Sequence, residues 1–244
     1  MTGEANAAGN GVETAWVVAA DPSVGDELVA GMREAGLNTA AMVAGKPGGS
    51  AINVQSREEM ARAFKDALAQ GGAPDLVLLA LIPPASLTSR PLAELGGGKW
   101  AEMAEAPAAA LMHTLQALMD TLEGKTFAIA VLGPTIGHVG APGYVPLATA
   151  LEAQRGIMKT AARQFGERGI TVNWISVAPK AYSPVLDDEE IPHGPEMGGE
   201  MLALGHAPAL RGEVAAAISL LASKRAGAIT GATINIDGGE WMMP

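Results

Sequence analysis

Residues 211–239 read RGEVAAAISLLASKRAGAITGATINIDGG, and this stretch decides the fold. Its first half carries an Ala-rich helical pattern over 212–222. A glycine-punctuated break follows, then a short apolar strand over 233–236 that closes on Asp237-Gly238-Gly239. The same helix-to-strand step recurs upstream. A helix from about 147 to 168 stops at Gly169 and feeds a strand at 170–177, and an Ala/Leu/Met helix over about 100–122 leads to a strand at 127–132. Ser56 and Glu59 stand in capping-box spacing before Met60, Phe64 and Leu68. Gly71-Gly72 ends that helix ahead of the fully apolar run 76–82. At the front, TAWVVAA (14–20) is followed by Asp21-Pro22-Ser23, by a helix through Leu28, Val29 and Met32 that closes at Gly36, and by a second strand at 39–43. Strands that read as unbroken apolar runs, separated by helices, predict an α/β fold: a parallel sheet covered on both faces.

Size and composition agree with one such unit. The chain has 244 residues, 48% of them hydrophobic, with a mean hydropathy of +0.20, and no Ser/Pro-rich linker divides it. The polar, Ala/Gly-rich residues 1–13 read as a flexible N-terminal segment and 14–244 as a single domain. No run approaches the roughly 20 apolar residues of a membrane span. A net charge of -10 and a pI near 4.8, with no Lys/Arg cluster, argue against nucleic acid as a partner. There is no cysteine, so disulfides and thiolate metal sites are excluded, and the N-terminus lacks the pattern of a signal peptide. The expected location is the cytoplasm.

The quoted segment resembles the end of short-chain dehydrogenases/reductases, where a helix precedes ITG-x-T-x-N-x-DGG. Gly166 to Asn173 (GERGITVN) and Gly137 to Gly143 (GHVGAPG) resemble two further stretches of that family, and the likeness spans residues 14–240. It implies a Rossmann-like, doubly wound sheet of about seven strands, NAD(P)-dependent oxidoreduction, and dimers or tetramers built on the two long central helices.

The family's chemistry needs a proton-carrying tyrosine, a lysine one helical turn later that lowers its pKa, and a serine that holds the substrate oxygen. Aligned without gaps from Gly169, those positions fall on Leu147, Leu151 and Pro134, none of which carries a proton. The family's asparagine has no counterpart either, since no Asn lies between Asn53 and Asn173. Tyr144 and Lys159 are out of register to replace the pair and read as a surface or rim aromatic and a solvated lysine. Leu147, Leu151, Met158, Ala162 and Phe165 form an apolar stripe instead.

The dinucleotide fingerprint is likewise altered. Its three glycine positions fall on Ala19, Ser23 and Gly25, and its adenine-contacting Asp on Asn53. Asp21 puts a carboxylate in the turn where a phosphate would meet helix amides, and reads best as the N-cap of the first helix. Lys46 reads as a loop charge, Asp187 to Glu190 as a solvated acidic run, and the Met/Gly-rich 194–204 as the family's lid. His113, His138, His193 and His206 have no metal-ligand spacing, and no metal is expected.

From the altered positions the expectation is a chain with no catalytic activity of its own and no bound cofactor. It would be a structural or regulatory subunit paired with an active homologous subunit that holds NAD(P), in a heterotetramer acting on an alcohol or a 3-hydroxyacyl-CoA. The alternatives are a stand-alone nucleotide or acyl-CoA binding module and an atypical NAD(P)-dependent oxidoreductase.

Overall fold

The computed structural model describes residues 13–45, 52–186 and 202–242. The parallel sheet is present. Its strands are β1 (Thr14–Ala19), β2 (Asn38–Val43), β3 (Leu76–Ala80), β4 (Ala128–Pro134), β5 (Thr171–Val177) and β6 (Thr233–Ile236), in the order β2-β1-β3-β4-β5-β6. Every pairing is parallel, with Ala19 opposite Ala80 and Pro134 opposite Val177, so the carboxyl ends of the strands share one edge. The order reverses between β1 and β3, which makes that edge the place where such sheets bind ligands. The seventh strand implied by the resemblance is not found among the described residues.

Among the described residues, five α-helices of five or more residues cover the faces: α1 (Pro22–Glu34), α2 (Arg57–Gly71), α3 (Ala106–Thr121), α4 (Val145–Phe165) and α5 (Ala215–Ser219). The Asp21 carboxylate caps α1 by accepting from the Ser23 amide at 2.8 Å, the role expected of it. Ser56 Oγ accepts from the Glu59 amide at 3.2 Å, and Gly72, at φ +81, ends α2 in a conformation that favours glycine. A wide turn at Ala101–Glu105 precedes α3, and Gln154 of α4, fully buried, donates from Nε2 to the Pro107 carbonyl at 2.8 Å, joining the two long helices.

The central strands explain their own sequences. All the side chains of β3 and β4 are buried, and all those of β1 and β5 except at the first residue, so no polar alternation appears. Trp16 stacks on Phe64 with ring centroids 5.6 Å apart, fixing α2 against β1. Among the described residues no helix is long and apolar enough to cross a membrane.

One local expectation is corrected. Tyr144 is buried, not at the rim. The turn at Gly143 (φ +78) is pinned by its carbonyl accepting from the Arg90 amide at 2.8 Å, and this tucks the next residue inward.

Candidate functional site

Leu147 and Leu151 occupy the first turns of α4 and are 0% and 1% exposed. They face the end of β4, where a Cβ on Gly133 would stand 2.6 Å from Leu151 Cδ2 and 2.5 Å from the Trp174 ring. Pro134 is buried as the last residue of β4. Leu151 and the Trp174 ring thus meet at Gly133 in an apolar contact, with Leu147 and Pro134 both buried. The stripe continues through Met158 and Ala162, both buried, with Phe165 packed at its margin. Lys159 is exposed, as expected.

A polar cluster not anticipated from the sequence lies next to this contact. His138, on the single turn Ile136–Val139, places Nε2 2.7 Å from Ser176 Oγ, and Trp174 Nε1 donates to the same oxygen at 3.0 Å. Ser176 Oγ accepts from the indole N–H and donates its own O–H to Nε2, which leaves Nδ1–H facing Glu152 Oε1 at 3.8 Å. Glu152 in turn pairs with Arg155. Thr135 donates to Glu240 at 3.3 Å beside it. The register of β4 against β5 is the signal that would have found this cluster, since it sets Gly133 opposite Ser176.

Burial lowers the His138 pKa. The Arg155 charge, and more weakly Lys159, add to this, while Glu152 and Asp237 oppose it. A histidine whose folded pKa lies below its unfolded value stabilises fully above the unfolded pKa, and that contribution is lost as pH falls towards the folded pKa. Protonation would also turn Nε2 into a second donor to Ser176. Between about pH 7.5 and about pH 5.5, the melting temperature is expected to fall further for the wild type than for His138→Gln. Parallel pH slopes for the two proteins would refute this.

On the other side of the switch point, the altered glycine positions have clear structural uses. Ala19 ends β1 inside the core, and Gly25 lets α1 lie on it, because a Cβ there would be 2.9 Å from both Ala19 Cβ and Val43 Cγ1. Close packing of helix on strand thus survives. The phosphate seat does not. Asp21 Oδ1 accepts from the Ser23 amide and from Ser23 Oγ at 2.6 Å, so a carboxylate already sits where a pyrophosphate would bind. These residues do not fit a dinucleotide held by the N-terminus of α1. Asn53 is turned to a local task, with its Oδ1 accepting from the Gln55 amide at 3.0 Å. Lys46, the acidic run 187–190, His193 and residues 194–201 of the lid lie outside the described residues.

Beside α1 opens a crevice of about 940 Å³, lined by Ser23, Val24, Tyr182, Pro184, Leu202 and Leu210 among others. Tyr182 ends the short turn that leaves β5. Its hydroxyl is buried without a hydrogen-bond partner among the described residues, and the Ile82 backbone approaches it without completing a bond. Burial raises its pKa well above the usual phenol range, and the Asp21 charge adds to this, so the phenol keeps its proton.

The family model described as enoyl-(acyl carrier protein) reductase matches residues 18–240. The chain is 27% identical over 253 residues to the 3-oxoacyl-[acyl-carrier-protein] reductase FabG of Staphylococcus aureus (strain N315), covering 94% of this chain and 98% of that protein. It is 30% identical over 151 residues to FabG of Haemophilus influenzae, 59% of each chain, and 38% identical over 109 residues to a short-chain dehydrogenase/reductase of Armillaria gallica, 42% of this chain and 41% of that one. These matches correct the expectation of a chain without activity of its own. Proteins that align with it from end to end are named as reductases. The likeness read from the ITG-x-T-x-N-x-DGG segment is thereby established: the chain belongs to the short-chain dehydrogenase/reductase family of oxidoreductases.

Proposed function

We propose that this chain is a carbonyl oxidoreductase acting on an acyl thioester with an oxo or hydroxyl group at its third carbon, in the crevice between α1 and residues 180–184 and 202–210. The observation that carries the reading is the end-to-end alignment with 3-oxoacyl reductases on a sheet whose carboxyl edge keeps an open crevice. Val24, Pro184 and Leu210 give that crevice an apolar stretch that suits an acyl chain, beside the charged Asp26, Glu27 and Lys180. The proton that a reduced carbonyl oxygen takes up must come from a group other than residues 134, 147 and 151, because none of these carries one.

The test uses the purified chain with an acetoacetyl thioester and NADH or NADPH at millimolar concentration, a level chosen because Asp21 fills the usual phosphate seat. The 3-hydroxy product, followed by mass spectrometry, is expected above a protein-free control. Its absence with both donors overturns the reading.

Assembly with a second chain of the family is part of this reading. The outer face of α3 and α4 holds a groove of about 710 Å³ lined by Met112, Leu115, Met119, Ile157 and Phe165, with Met112 43% exposed. Light scattering of the same preparation is expected to give more than the monomer mass, and a strictly monomeric chain removes this part of the proposal.

A further inference from the structure

The disagreement between the α1 N-terminus and a dinucleotide can be followed amide by amide. A helix start ordinarily offers several backbone N–H groups without internal partners, and these bind phosphate. In α1, Pro22 has no N–H, the Ser23 N–H is taken by Asp21 Oδ1 at 2.8 Å, and the Gly25 N–H already bonds the Asp21 carbonyl at 2.9 Å. Only Val24 is left in the first turn. Asp21 is itself 6% exposed, so its charge lies in the wall of the edge and not in solvent, where water and salt would screen it. Asp26 and Glu27 line the same crevice, together with Lys180. Behind Asp21, the buried Tyr182 phenol occupies the space next to Ile82 at the end of β3.

From these observations we infer that Asp21 is the residue that sets the affinity of this chain for dinucleotides: its carboxylate acts as a built-in occupant of the phosphate seat, and removing its charge opens that seat. Gly25 still packs closely on Ala19, so α1 keeps its place on β1. The Asp21 carboxylate is the charge that stands at its start.

Two substitutions separate charge from capping. Asp21→Ser keeps a good N-cap hydroxyl and removes both the charge and the bulk, and Asp21→Asn keeps shape and cap while removing the charge alone. Both leave α1 capped, so both variants are expected to melt close to the wild type. Binding of NADH and NADPH is read by fluorescence titration, with inorganic pyrophosphate as competitor, so the result is independent of turnover and of the thioester reading. Affinity is expected to tighten about tenfold or more in Asp21→Ser, with pyrophosphate competing in the variant. Asp21→Asn should give an intermediate gain. Asp66→Asn, an equal charge change on an exposed face of α2, should give none. Wild-type affinity equal to that of Asp21→Ser overturns the inference, as does an equal gain in Asp66→Asn, which would reduce the effect to net charge.

Discussion

Leu151→Lys is expected to destabilise the fold by about 4 kcal/mol, although lysine is the residue that the family places there. The side chain at 151 is 1% exposed and packs on Gly133, Gly137 and the Trp174 ring, where a Cβ added to Gly137 would sit 2.9 Å from Leu151 Cβ. An ammonium group there meets the Gly133, Gly137 and Trp174 wall and has to shed its hydration or its proton. Leu151→Met keeps the volume and polarity and is expected to cost less than about 1.5 kcal/mol. Chemical denaturation of the two variants checks the pair. A Leu151→Lys midpoint at the wild-type value would mean that the 147–151 face is not the closed contact described. A loss of activity in Leu151→Lys would report lost structure, so reinstating the family's residues is no assay of the chemistry.

Gly31→Val is expected to cost about 3 kcal/mol or more, at a position with no role in any site. There α1 crosses the segment leading into α5, and a Cβ would run into the Arg211 carbonyl oxygen and stand 2.5 Å from Ala215 Cβ. The obstacle is backbone, so no rotamer change relieves it and the two elements must separate. The exposed Arg211–Glu34 pair beside the crossing would be stretched as well, but surface pairs contribute little. The measurement is the denaturant midpoint of Gly31→Val against that of Gly156→Ala, since Gly156 of α4 has open space at its Cβ and a helical backbone where alanine is favoured. Equal midpoints for Gly31→Val and the wild type would show that α1 and the 211–215 segment do not touch as closely as described.

The strands and long helices were legible because each repeats one rule many times. β3 and β4 are apolar throughout since both faces are covered, and the α4 stripe from Leu147 to Ala162 recurs at helical spacing since one face is buried. What stayed hidden depends on single contacts between distant segments. His138 meets Ser176 across 38 residues through the register of two strands, and Tyr144 is turned inward by a bond from Arg90. The position of Tyr182 in the crevice follows from one short turn after β5, too brief to show a period. The seventh strand came with the resemblance and had no apolar run of its own behind it.

The Asp237-Gly238-Gly239 turn has a consequence for how this protein behaves at high concentration. β6 is the margin of the sheet, four half-buried residues long, and a bare margin is a template on which a neighbouring molecule can add a strand. Both glycines adopt positive φ, which reverses the chain, and the Asp237 carboxylate accepts from the Gly239 and Trp241 amides at 3.0 Å each. The Trp241 carbonyl then accepts from Asn235 Nδ2 at 2.8 Å, which draws the returning segment back to β6. The returning chain is thus tied to the margin strand through the Asn235 side chain.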